Sequence, residues 1–557
     1  MAKRKKKNYL SWICGKIRKR IPVIAFKILL TACVSIAAVL FALVTKGVVN
    51  SAILGDQAGL IRFSATLLGL ILFQLGGNIL LHYLHANLQE DMERDFKQSI
   101  LHTILRTDYS AICSHHSGDL IQRLDGDAAV IYGAVGTMTT MLVSTVVSLF
   151  SAFAALLRLT PVFTIVFCIC GALLGAAALL LRRTLKQLSK DSSAATGRVG
   201  GFLHESISKL MVVQALDMSR EVEKRTDRIL DDRWSVRKKQ RNMNLLTRTG
   251  ISTISSFGSL ITLVWCAYQL LQGEITPGDV TAITSLVGTL RSSAVNLPMM
   301  MPQLFAVSAS CDRIMELEAL PRQPDPDPAA ARSLYETLTG FTAEHLTFAY
   351  DRAPVMTDVS LTVPKGGLTV IVGQSGIGKS TLLKLLLGLY RPNSGTLSID
   401  TPDGPIMADR STRSLFSYAP QGNFLLSGTI RENLTFTNPQ ASEAEIRAAL
   451  HASALDEYID TLPQGLETVL MENGAGLSEG QAQRLSLARA IISGAPVLLL
   501  DEVTSALDAA TEATVLERIC ALPGKTCIAV THRPAALALA KNIIEVTENG
   551  MTIRNCE

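Results

Sequence analysis

Residues 368–390 read LTVIVGQSGIGKSTLLKLLLGLY. An apolar run ends at Gly373, the chain turns through G-x-x-x-x-G-K-S at 373–380, and apolar residues then resume. That order predicts a buried strand, a tight loop and a helix. Glycines let successive backbone N–H groups curl around phosphate oxygens, and the helix start adds the positive end of its dipole. Gly373, Gln374, Ser375, Gly376, Ile377, Gly378, Lys379, Ser380 and Thr381 are therefore candidate phosphate-binding residues. Lys379 would reach the β and γ oxygens, and the Ser380 hydroxyl would ligate Mg²⁺.

Two further stretches fit this chemistry. PVLLLDE at 496–502 puts Asp501 and Glu502 at the end of an apolar strand. Two adjacent acids are costly to bury there without a metal or a task. Asp501 would hold Mg²⁺, directly or through water, and Glu502 would polarise an attacking water as general base. LSEGQAQRLSLARA at 477–490 starts in a turn and opens a helix, so its backbone donors can receive an anion.

Upstream, the composition changes. Over all 557 residues, 48% are apolar, 18% are charged, and mean hydropathy is +0.29. Soluble domains average about 25% charged residues, so much of this chain avoids water, and disorder or a purely soluble enzyme is excluded. The net charge of +5 is local: residues 1–20 hold nine Lys/Arg and no acid, leaving 44 bases against 48 acids elsewhere. A basic tail before an apolar stretch reads as a cytoplasmic membrane anchor rather than a nucleic-acid surface.

Six stretches are long enough to span a bilayer as helices: 23–49, 58–84, 128–157, 161–182, 245–271 and 278–310. The intervening segments 85–127 and 183–244 carry apolar residues at helical spacing and read as membrane helices continuing into the cytoplasm. With positive residues inside, the tail and both long segments are cytoplasmic. Lys27 and Arg62 lie near span ends and either snorkel or mark a pathway, whereas Arg291 is mid-span and faces either a polar cavity or an acid on a neighbouring helix. After Glu318, ALPRQPDPDPAAARS holds four prolines and reads as an extended linker. The expected domains are a basic tail and elbow at 1–20, a transmembrane domain at 21–320, a linker at 321–334 and a nucleotide-binding domain at 335–557. The ten cysteines show no zinc-ligand pattern, and the N-terminus does not read as a signal peptide.

Taken with these motifs, Leu477 to Gln481 resembles the signature motif of ATP-binding cassette exporter half-transporters, with Glu479 where glycine is more frequent. The resemblance covers nearly the whole chain. It implies a six-helix, α-helical polytopic membrane domain of exporter type fused to an α/β P-loop ATPase domain. It implies that Tyr350, in HLTFAY, stacks on adenine, and that Gln421, in YAPQGNF, contacts the metal and couples to the membrane domain. His532, in AVTHRP, is similar to the switch histidine on the γ-phosphate, and residues 505–508 are similar to the dimer-contacting loop. Glu472 resembles an exporter-specific loop residue. Ser478, Glu479, Gly480 and Gln481 would serve the nucleotide bound by a second half-transporter chain, identical or different. ATP and Mg²⁺ are the implied cofactors, and Glu502, His532 and Gln421 the implied catalytic residues, with Ser380, Gln421 and Asp501 at the metal. The resemblance implies ATP-driven export or lipid flipping in the cell membrane, with the N-terminus and ATPase domain cytoplasmic. An importer on the same fold, or a regulatory ATP-binding partner, is left open, and so is the cargo: small molecule, lipid or peptide. A nucleic-acid partner is not expected.

Overall fold

The structure is a computed structural model that describes residues 9–115, 117–323, 328–350, 354–422, 424–471, 474, 476–547 and 550–555. The chain divides into two compact units. One comprises Met1–Thr103 and His116–Ala319, the other Ile104–His115 and Leu320–Glu557.

The first unit is helical. A short α1 (Tyr9–Lys16) precedes α2 (Ile21–Leu54), α3 (Gln57–Arg106), α5 (Ser117–Leu159), α6 (Pro161–Ser208), α7 (Ser219–Leu271) and α8 (Pro277–Glu318); α4 (Tyr109–Ile112) belongs to the other unit. Each of the six expected spans falls inside one of these long helices. At 1.5 Å per residue, the 50 residues of α3 extend about 75 Å, more than twice a hydrocarbon core of about 30 Å. Among the described residues, Arg18–Leu54, Gln57–Arg106, Ser117–Leu159 and Ser219–Leu271 are long and apolar enough to cross a membrane.

The turns follow local chemistry. Gly55 ends α2 in the left-handed conformation (φ +73°), its N–H bonded to Ser51 O. Thr276 and Asp279 form a reciprocal capping box at the start of α8, with Pro277 at the first helical position. Val39, Ala42, Ala152, Leu156, Cys266, Ile283 and Leu286 form a shared core that joins α2, α5, α7 and α8.

Two π-helical turns interrupt α5, at Gln122–Asp127 and Ala134–Met138. A buried charge sits at each. The Lys27 ammonium, 4% exposed, donates to Gly136 O at 2.7 Å and lies 3.1 Å from His85 Nδ1. Lys27 therefore does not snorkel outward: it ties α2 to α5 and α3. Asp127, 1% exposed, is gripped by two guanidinium nitrogens of Arg313 and accepts from Ser310 Oγ at 3.0 Å. Arg62 is exposed, and Arg291 Nη1 donates to Ser259 Oγ at 3.3 Å; among the described residues it pairs with no acid.

In the second unit, residues 104–115 pair with the start of the C-terminal part. Gln323 N donates to Arg106 O at 3.0 Å, and Asp108 N to Pro321 O at 2.9 Å. The proline-rich stretch is not extended throughout, because α9 spans Pro328–Thr337. Pro328 opens that helix, where its missing N–H leaves no bond unmade, and the alanines after it are strong helix formers.

Among the described residues, twelve strands follow: β1 (Gly340–Ala349), β2 (Pro354–Pro364), β3 (Gly367–Gly373), β4 (Ser394–Thr401), β5 (Gly404–Met407), β6 (Phe416–Ala419), β7 (Gly428–Thr429), β8 (Val469–Leu470), β9 (Val497–Asp501), β10 (Thr526–Val530), β11 (Asn542–Thr547) and β12 (Gly550–Asn555). Strands β2-β1-β4-β5 form an antiparallel sheet. Strands β12-β11-β3-β10-β9-β6 form a six-stranded sheet whose central members are parallel. All five residues of β9 and of β10 are buried, as expected for parallel strands covered on both faces. Helices α10 (Lys379–Leu386), α11 (Glu479–Ile492) and α12 (Ala509–Cys520) accompany the sheet. In such sheets, ligands bind outside the carboxyl ends of the strands. The ends of β3, β9, β6 and β10 are Gly373, Asp501, Ala419 and Val530.

Candidate functional site

The loop after β3 needs glycine for steric reasons. Gly376 has φ +83° and Gly378 φ +107°, both left-handed. A Cβ at Gly378 would stand 2.8 Å from Val355 Cγ1, and one at Gly373 2.6 Å from Val546 O. Gly378 caps α10, so Lys379, Ser380 and Thr381 occupy its first turn, where backbone N–H groups lack helical partners. Lys379 Nζ donates to the Gly373 and Gln374 carbonyls at 2.9 and 2.8 Å.

Facing this turn is the end of β9. Ser380 Oγ donates to Asp501 Oδ1 at 2.8 Å, and the Tyr418 hydroxyl, from β6, donates to Asp501 Oδ2 at 2.9 Å. Asp501 is 2% exposed. Burial pushes the Tyr418 phenol well above the usual tyrosine range, and the adjacent Asp501 carboxylate adds to the rise. The next residue, Glu502, adopts a left-handed backbone (φ +51°), with its N–H bonded to Val530 O at 3.0 Å. That strained turn swings its carboxylate out of the strand direction, and Gln421 Nε2 donates to Glu502 Oε2 at 2.6 Å. His532 lies two residues past β10, exposed.

Tyr350 has its ring half exposed, held edge-on by Phe348 and Tyr390 at centroid distances of 5.0 and 5.2 Å. Its hydroxyl lies 3.1 Å from Thr381 Oγ1, which brings the ring beside the phosphate loop. Tyr390 also packs against Tyr109 of α4, at 5.6 Å.

The turn at 477–481 is built as a capping box. Ser478 Oγ accepts from Gln481 N, and Gln481 Oε1 accepts from Ser478 N at 2.8 Å. Gly480 stands where a Cβ would meet Ala506 O at 3.1 Å, so this turn packs on the 505–508 loop. Buried Gln483 bonds Ser505 Oγ and Ala506 N, both at 3.1 Å. Asp508 caps α12, and the Thr511 N–H above all holds its carboxyl below the usual range. Among the described residues, no hydrogen bond joins 477–481 to 373–381. Glu472 lies outside the described residues.

The sequence motifs thus converge into one cluster, containing Lys379, Ser380, Gln421, Asp501 and Glu502 with Tyr350 at its side, while Ser478 to Gln481 stand apart. Sequence reasoning missed Tyr418, Tyr390 and Gln483. Tyr418 sits three residues before Gln421 in the same short motif, but nothing in the pattern says which way a strand-end tyrosine points. Ser380 and Asp501 offer hydroxyl and carboxylate oxygens side by side, hard donors suited to Mg²⁺, and Gln421, bonded to the adjacent Glu502, carries a further amide oxygen.

Residues 24–294 match the family described as ABC transporter transmembrane region, and residues 356–505 match the family described as ABC transporter. This chain belongs to the ABC transporters: it is an integral membrane protein with a membrane region and an ATP-binding, ATP-hydrolysing cassette in one polypeptide. It is 29% identical over 471 residues to the putative multidrug export ATP-binding/permease protein YgaD of Bacillus subtilis, covering 82% of this chain and 79% of that protein. It is 28% identical over 480 residues to the ATP-dependent lipid A-core flippase of Desulfotalea psychrophila, covering 84% and 82%. It is 26% identical over 471 residues to a fatty acid ABC transporter ATP-binding/permease protein of Mycobacterium tuberculosis, covering 83% and 73%. The fold matches the solved structure of a bacterial Atm1-family ABC exporter with ATP bound, at TM-score 0.84 and 21% identity, over 96% of this chain and 95% of that one.

Proposed function

We propose that this chain is half of an ATP-driven exporter in the cell membrane, working as a dimer of two copies with both cassettes in the cytoplasm. The observation that carries the reading is the meeting of the phosphate-loop Ser380 with Asp501, and of Gln421 with Glu502, at the ends of neighbouring strands. A second copy is favoured as partner because this chain holds both halves of a composite site: a complete phosphate loop with its acids, and the turn at 477–481. Each phosphate loop would face the other copy's Ser478–Gln481 turn, with ATP between them.

In this site Tyr350 stacks on the adenine, and Lys379 and the loop N–H groups hold the phosphates. Ser380 and Asp501, with Gln421, would hold Mg²⁺, which would supply positive charge against the phosphates. Glu502 takes a proton from the attacking water, and His532 contacts the γ-phosphate. Binding closes the two cassettes, and hydrolysis lets them part.

The cargo is an anionic amphipath. Thr249, Ser252, Thr253 and Ser256, with Phe257 and Leu260, border an open groove along one face of α7. Arg291 reaches α7 at Ser259, one turn beyond this hydroxyl row. A cation beside hydroxyls and apolar side chains suits a molecule with an acidic head and an apolar body. Fatty acids and lipid A-core, named for two of the relatives, share that chemistry. The test of the overall reading is ATP hydrolysis by the lipid-embedded protein with and without Mg²⁺. Activity that needs Mg²⁺ supports it, and absence of hydrolysis in both conditions contradicts it.

A further inference from the structure

Both oxygens of Asp501 are engaged by hydroxyl donors from the protein, and the two donors differ in kind. Ser380, on Oδ1, belongs to the phosphate loop, and its oxygen is itself a candidate metal ligand. Tyr418, on Oδ2, stands on β6, a strand paired with β9 in register, with Tyr418 opposite Leu499. Its ring is partly buried among sheet residues, so its hydroxyl is a fixed point.

We propose that Tyr418 is a positioning residue of the metal site: its hydroxyl locks the Asp501 carboxylate so that Oδ1 alone faces Ser380 and the metal. This rests on the reading of Ser380 and Asp501 as holders of Mg²⁺. A carboxylate at a strand end can rotate about its terminal torsion, and two equivalent oxygens offer a metal several poses. A charge-assisted bond to Oδ2 removes that freedom and satisfies an oxygen that is otherwise out of reach of water. Partners that orient a metal ligand in this way typically contribute about 10–100-fold to metal affinity. Tyr418 acts through Asp501, the carboxylate its hydroxyl donates to.

The test is Tyr418→Phe in the full-length, lipid-embedded protein. The substitution removes one oxygen and keeps the ring. Four quantities are read: the Mg²⁺ dependence of hydrolysis, the affinity for Mn²⁺ with ATP present by electron paramagnetic resonance, ATP binding in excess chelator, and the melting temperature with ATP–Mg²⁺ and with ATP–chelator. The expected result is a rise of about tenfold or more in the half-maximal Mg²⁺ and a matching loss of Mn²⁺ affinity. The maximal rate should return at high Mg²⁺, and metal-free ATP binding should not change. Unchanged Mg²⁺ and Mn²⁺ dependence overturns the proposal. So does a lowered maximal rate that Mg²⁺ cannot restore, or a melting temperature lowered equally with ATP–Mg²⁺ and with ATP–chelator, since either marks a merely structural bond. Failure of the underlying reading looks different: the unsubstituted protein would then hydrolyse ATP without any divalent ion.

Discussion

Gln421 Nε2 and Glu502 Oε2 stand 2.6 Å apart, so the side chain proposed to take the proton from water is already hydrogen-bonded to one proposed to touch the metal. Glu502 reaches that position only through its left-handed backbone, which aims the carboxylate away from the buried strand that carries it. The base is therefore held in place by its turn and by Gln421 before any water arrives.

Replacing Glu502 by Gln keeps the shape of this contact and removes the base. Turnover should fall by about 10²–10⁴, the usual contribution of a general base, while ATP binding persists. Single-turnover hydrolysis alongside ATP binding checks this, and near-normal turnover in the variant would take Glu502 out of the role.

Tyr350 offers its ring as a platform beside the phosphate loop. Tyr350→Ala should weaken ATP binding by about 1–3 kcal/mol, the range found for base stacking on aromatic side chains. Binding of inorganic triphosphate, which has no base, should be unaffected. Competition titrations with both ligands separate the two, and equal losses would place Tyr350 in loop folding instead.

Gly136 lies in the π-helical turn that Lys27 reaches, and a Cβ there would come within 2.9 Å of the His85 ring. Gly136→Ala should destabilise the membrane unit by about 1–3 kcal/mol, as overpacking does, and displace His85. Thermal unfolding of the detergent-solubilised protein reads this, and an unchanged midpoint would show that the ring has room to move.

Arg291 should be reachable from water in one state of the transport cycle. A cysteine placed there, in a chain whose other reactive thiols are removed, should react with a membrane-impermeant reagent. Trapping with ATP in the Glu502→Gln background should abolish that reaction. Inertness in every nucleotide state, with transport intact, would remove Arg291 from the transport path.

Much of this organisation is legible in the amino-acid sequence. The strand–loop–helix reading of 368–390 and the strand before Asp501 hold because glycine requirement and continuous apolarity are local properties. The long helices hold because apolar runs of that length have few alternatives. The proline-rich stretch misleads because its last proline starts a helix instead of preventing one, and position within a helix decides which. Lys27 misleads for another reason. Its partner is a carbonyl 109 residues away, exposed by a π-helical turn, and hydropathy does not register such turns. Tyr418 is silent in the sequence because its role depends on register between two parallel strands far apart along the chain.

The central claim, that each catalytic site combines the phosphate loop of one copy with the 477–481 turn of the other, is tested most directly by complementation. Lys379→Ala and Ser478→Arg each damage one half of the composite site, and each should abolish hydrolysis when present in both copies. Co-expressed with two different affinity tags and purified for both, a mixed dimer carries one doubly damaged site and one intact site. Mg²⁺-dependent hydrolysis should reappear in this mixed dimer. Continued absence of hydrolysis in a mixed dimer that still binds ATP would mean that loop and turn act within the same chain, and would contradict it.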